Sequence, residues 1–78
     1  MKVAREDVME VARKAKIVPD PDKLRDDIAF SDQGMDSLAV FDFILLLQEK
    51  YGVEIPDSDV DQLVSISAII NYLNQRLS

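Results

Sequence analysis

The chain predicts an all-α fold: four helices around one core, three long and one short, with a long loop between the first two. Three observations point to it. Apolar residues recur at steps of three and four along most of the 78 residues, the period that aligns one face of an α-helix. Hydrophobic residues make up 47% of the chain, and glycine occurs only twice and proline three times, a composition that suits helices. Those five residues also fall between the periodic stretches rather than inside them.

The first helix is expected over roughly residues 4–16, where Val8, Val11, Ala12 and Ala15 recur with Ala4 one turn earlier. Pro19-Asp20-Pro21-Asp22 should stop it, because the residue before a proline is pushed out of the helical region. A long connection then runs to Gly34, anchored by Leu24, Ile28 and Phe30; a loop of that length in so small a domain is often functional. The second helix is expected from about Ser37 to Tyr51. It is apolar on most of its circumference through Leu38, Val40, Phe41, Phe43, Ile44, Leu45, Leu46 and Leu47. About two-thirds of these should pack in the core. A helix so hydrophobic cannot bury every face in a chain of this size, so Leu38, Val40 and Phe41, nearest Ser37, are expected at the surface. Gly52 supplies its C-terminal stop. A short third helix is expected from Pro56 to about Leu63. Ser65 or Ser67 should cap a fourth running to about Leu77, with Ile66, Ile69, Ile70, Leu73 and Leu77 as its apolar stripe. Tyr72 is expected to pack with that stripe and keep its hydroxyl near water. No internal repeat appears, and residues 1–78 read as a single domain with a narrow stability margin.

The segment Gly34-Met35-Asp36-Ser37-Leu38 sets a hydroxyl at a turn just before the long apolar helix, with Asp36 or Ser37 near the N-cap. Free backbone N–H groups and the positive end of the helix dipole favour an anion there, so a phosphodiester on the Ser37 oxygen would be stabilised. The plainer reading is that Ser37 only caps a helix in a small protein-interaction module, since serine and aspartate are the commonest N-caps.

Asp36-Ser37-Leu38, opening a helix that closes on Glu49-Lys50-Tyr51-Gly52 and continues into Ile55-Pro56-Asp57, resembles the acyl carrier protein family. Phe30 a few residues upstream and Ser65-Ile66-Ser67-Ala68-Ile69-Ile70-Asn71-Tyr72-Leu73 near the end extend the resemblance over most of the chain. It implies a four-helix bundle of acyl-carrier type. It also implies 4′-phosphopantetheine attached covalently to Ser37, whose thiol holds acyl groups as thioesters, and a carrier with no catalysis of its own. The partners implied are a phosphopantetheinyl transferase and acyl-transferring or synthase enzymes with basic docking surfaces. Asp36, Leu38, Val40, Phe41 and Asp42 are the residues expected to meet those enzymes around the arm, and some of the apolar surface would meet the acyl chain. The helix departs from many fatty-acid carriers at Ala39, Gln48 and Lys50, where acids are frequent, leaving Asp42 and Glu49 as its acids. Fatty-acid synthesis and a specialised acyl or polyketide-type pathway both stay open.

Charge is uneven. Seven of the nine basic residues lie in residues 1–25, whereas from Asp26 to Gln75 ten acids face only Lys50, a balance of −9 within a net charge of −6. Such a surface repels nucleic acid and anionic lipid and steers basic protein partners. The start lacks the apolar core of a signal peptide, and no apolar run spans a bilayer, so a soluble cytoplasmic monomer without membrane contact is expected. With no cysteine, disulfides and cysteine-based zinc sites are excluded. With no histidine, Ser37 lacks the usual base of nucleophilic catalysis. Asp57-Ser58-Asp59-Val60-Asp61 opens like a calcium loop, but Gln62 stands where glycine is needed and Ala68 where a bidentate glutamate is needed. At most a weak surface association with divalent cations is expected there.

Overall fold

A computed structural model describes residues 2–16 and 19–77. It is all-helical among these residues: α1 spans Arg5–Ala15, α2 Ser37–Tyr51, α3 Asp57–Val60 and α4 Ile66–Leu77, and α1 packs against both α2 and α4. The N–H of Ala4 donates to Asp7 Oδ2 at 2.9 Å, which ties off the start of α1. Its end lies upstream of the prolines expected to stop it. Lys16 turns left-handed at φ 51° and its N–H returns to the Arg13 carbonyl, so the last turn closes before Pro19 is reached. Val8, Val11 and Ala12 are buried as their spacing requires, but Met9 is buried beside them, while Ala15 is only partly covered and Ala4 is exposed.

The connection from α1 to α2 is built rather than slack. Two 3₁₀ turns, Pro21–Lys23 and Phe30–Gln33, shorten it, and Leu24, Phe30 and Met35 bury their side chains while Ile28 is half-buried. The Gln33 side chain holds the loop across itself: its oxygen accepts from Arg25 N, and its amide donates to the carbonyls of Arg25 and Ile28. Asp26 joins three elements, since its carboxylate accepts from Arg5 Nε of α1 at 2.7 and 2.8 Å and its carbonyl accepts from Ser67 N of α4. Phe30 N donates to Val64 O at 2.8 Å, locking the loop to the connection between α3 and α4.

The third helix is a single turn, not the expected run from Pro56 to Leu63. Pro56 serves as its N-cap in extended conformation, and the chain leaves the helix at Asp61 so that Leu63 can turn inward and be buried. Ser65 caps α4, its Oγ accepting from Ala68 N at 3.2 Å. Ile66, Ile69 and Leu73 face the core, with Ile70 and Leu77 at its edge. Tyr72 is buried with them, and its hydroxyl, part-buried, donates to Asp59 Oδ2 at 2.6 Å. Val3, ahead of α1, is also buried, because its N–H and carbonyl pair with the side-chain amide of Asn74.

Candidate functional site

Gly34, at φ 85°, closes the second 3₁₀ turn in the left-handed region where glycine costs least, and Met35 N returns to Phe30 O. Met35 then plunges into the core. These two residues fix where α2 begins. Asp36 is extended and is its N-cap: Oδ1 accepts from Ala39 N at 2.8 Å, and its carbonyl accepts from Val40 N. Ser37 is therefore the first helical residue and not the cap. It is exposed, and among the described residues no hydrogen bond engages its hydroxyl. The reading in which Ser37 merely caps a helix does not match this geometry.

Beside Ser37 opens a cleft of about 450 Å³. Ala29, Phe30, Ser31 and Met35 form one wall, Ser37, Val40 and Phe41 of α2 a second, and Val60, Asp61, Leu63 and Val64 the third. Its lining is mostly apolar, with Ser31 and Asp61 as its polar members besides Ser37. Phe30 packs edge-to-face on Phe43, with ring centroids 6.1 Å apart and planes at 70°, so the inner end of the cleft meets aromatic core. A group attached to the Ser37 oxygen has this apolar space within immediate reach.

The outward face of α2 differs from what its composition suggested. Only Phe43, Ile44 and Leu47 of its eight large apolar residues are buried, fewer than the expected two-thirds, because α1 and the loop cover only one side of the helix. Leu38 is 71% exposed and Phe41 44%, as expected next to Ser37, whereas Val40 is turned partly inward to the cleft. Leu45 and Leu46, which the sequence does not single out, are exposed as well. Asp42 and Glu49 lie exposed on the same helix. The fifth exposed large hydrophobic residue, Val64, lines the cleft with Phe41, whereas Leu46 lies on another side of α2, toward Glu10 and Lys14 of α1.

Of the ten acids between Asp26 and Gln75, only Asp26 and Asp59 form ion pairs among the described residues, with Arg5 and Arg76. Asp36 and Asp42 are exposed at the N-terminus and in the first half of α2. The Asp57-to-Asp61 segment does not gather a cation site: among the described residues no three carboxylates come together for a metal ion, and Asp59 is engaged by Tyr72 and Arg76. No helix among them is long and apolar enough to cross a membrane.

Residues 8–73 match the model of the phosphopantetheine attachment site family. An acyl carrier protein of Campylobacter fetus is 41% identical over 64 residues, covering 82% of each chain. One of Campylobacter concisus is 41% identical over 71 residues, covering 90% of this chain and 91% of its own. Among solved structures, butyryl-ACP from the actinorhodin polyketide synthase in Streptomyces coelicolor superposes with a TM-score of 0.77 at 25% identity, over 99% of this chain and 93% of its own.

Proposed function

The chain belongs to the phosphopantetheine attachment site family of acyl carrier proteins, and we propose that its Ser37 carries the 4′-phosphopantetheine arm. The observation that supports this placement is the division of labour at the start of α2: Asp36 caps the helix, and the Ser37 hydroxyl is left exposed and unbonded at the lip of an apolar cleft. In the modification, Ser37 Oγ forms the new phosphodiester bond as the pyrophosphate of coenzyme A breaks, adenosine 3′,5′-bisphosphate leaves, and the hydroxyl proton passes to the transferase. Histidine, the usual base for such a step, is absent from the chain's 78 residues, and the chemistry is assigned to the partner. When bound, the arm supplies a thiol that holds an acyl group as a thioester.

The chain's own residues then position and shelter. The N-terminus of α2 favours the phosphodiester's negative charge, while the cleft offers an acyl chain about 0.8 kcal/mol for each methylene it buries. Leu38, Phe41 and Leu45 offer docking enzymes an apolar surface edged by Asp36, Asp42 and Glu49, and basic residues on those enzymes would complement the acids. Tethering replaces diffusion of free acyl groups by a high effective concentration at each enzyme. Carrier and enzymes are expected to meet in the cytoplasm. Fatty-acid and specialised pathways are both served by this chemistry, and the apolar character of α2 favours dedicated partners over enzymes that read a densely acidic helix.

Incubation with a broadly acting phosphopantetheinyl transferase and coenzyme A tests the reading through intact mass. The wild type should gain one arm and the Ser37→Ala variant none. No gain in the wild type, or an equal gain in the variant, would remove Ser37 from the role.

A further inference from the structure

A four-residue helix does not hold itself in water, since nucleation fixes more dihedrals than its few hydrogen bonds repay. α3 has no fully buried residue of its own: Val60 packs only at the edge of the core, and the buried anchors are Ile55 before it and Leu63 after it. What ties it to the bundle is a polar clasp on α4. Asp59 Oδ2 accepts from Tyr72 Oη at 2.6 Å and from Arg76 Nη2 at 2.7 Å, and Asp59 Oδ1 accepts from Gln62 Nε2 at 3.3 Å. The Arg76 guanidinium lies 4.9 Å from the centre of the Tyr72 ring, so both donors are held together above the carboxylate. The Asp59 side chain is only 19% exposed, so its bond to Tyr72 is partly sheltered, while Arg76, 47% exposed, reaches it from the surface. The segment it holds supplies Val60, Asp61, Leu63 and Val64 to the cleft beside Ser37.

We propose that Asp59 is a positioning residue: by clasping Tyr72 and Arg76 it fixes α3 as the far wall of the Ser37 cleft, and so sets how firmly the cleft retains an acyl chain. The proposal rests on the carrier reading for its cargo but not for the clasp itself. Without the clasp, α3 is held only by the edge packing of Val60 between Ile55 and Leu63, and its one turn frays. A chain in the cleft then loses the wall opposite Val40 and Phe41.

Two measurements test it with Asp59→Ala and Tyr72→Phe, the second of which deletes one hydroxyl and leaves the ring in place. In the unmodified protein, amide exchange at Gln62 and Leu63, whose N–H groups bond back to Asp59 and Val60, should quicken by about tenfold in Asp59→Ala and less in Tyr72→Phe. Amides within α1 and α2 should keep their rates. In the octanoyl-loaded protein, the shifts that octanoyl induces at the methyl groups of Val60, Leu63 and Val64 should shrink in both variants, and Asp59→Asn, which keeps an acceptor, should recover part of them. Exchange at Gln62 and Leu63 that matches wild type in both variants would overturn the proposal. So would unchanged octanoyl shifts, or a quickening spread evenly over all helices, which marks general destabilisation. Failure of the carrier reading is separate and shows earlier, as a wild type that takes up no arm.

Discussion

Asp36 and Ser37 are adjacent, yet only Asp36 hydrogen-bonds into α2, and the two therefore respond differently to substitution. Ser37→Ala should leave stability within about 0.5 kcal/mol of wild type, since an exposed first-turn residue with no bond is removed. Asp36→Ala should cost about 1 kcal/mol, as loss of a cap does; urea unfolding of the two variants checks both values. The sequence placed both residues at the helix start but did not divide the roles, because aspartate and serine are equally good caps and only the bond to Ala39 N decides. The partner of the Tyr72 hydroxyl is not legible for a related reason: Asp59 is thirteen residues away, on an element that local pattern draws too long. Burial and the bond it donates to Asp59 push the Tyr72 hydroxyl above the usual tyrosine range, and burial with the charges of Asp7 and Glu10 does the same for Tyr51. A raised pKa in the folded state means the contribution is whole below the unfolded value of about 10 and is lost as pH climbs through the folded one. Alkaline melts should therefore show the wild type losing stability relative to Tyr72→Phe above about pH 10, with no such relative change between pH 6 and 8.

Among the elements, α2 is the one whose sequence and packing disagree in a useful way. Its apolar run signals a helix plainly but leaves its faces undivided, because nearly every position is hydrophobic and periodicity carries no contrast. Burial is decided instead by what lies against it, and α1 and the loop reach only the side of Phe43, Ile44 and Leu47. Leu38, Phe41 and Leu45 are left out, which predicts a functional rather than a folding penalty for polar replacement. Leu38→Ser and Leu45→Ser should each keep the melting temperature within a few degrees of wild type while slowing modification by the transferase, as read in a timed mass assay. Asp42→Lys should slow it too, and the wild-type rate should fall as salt rises, because charges beside a site act mainly on encounter. A rate indifferent to the serines would take the exposed leucines out of the docking surface; indifference to salt and charge would take Asp42 out. The loop before α2 was legible in its length and its anchors, and less so in its two 3₁₀ turns, which depend on Gln33 reaching back to Arg25 and Ile28.

Over the whole molecule, the all-α class, the four helices and their order follow from spacing and breakers, since each helix needs only a local period and a stop. The cleft does not, because its three walls come from residues far apart in the chain, brought together by Phe30 N on Val64 O and by the clasp at Asp59. Charge is a property of the same scale: eight of the ten acids from Asp26 to Gln75 have no ion pair among the described residues, the other two being Asp26 and Asp59. Their mutual repulsion should relax as the Debye length shrinks, so added sodium chloride is expected to raise the melting temperature; a flat or falling series would show that repulsion does not limit stability. The central claim is the attachment of the arm at Ser37, and fragmentation of the modified protein addresses it at single-residue resolution. After reaction with coenzyme A and a transferase, the added mass should map to Ser37 and release a pantetheine fragment on activation. The same mass found on Ser31, which lines the same cleft, or on Ser58, Ser65 or Ser67, would contradict the assignment.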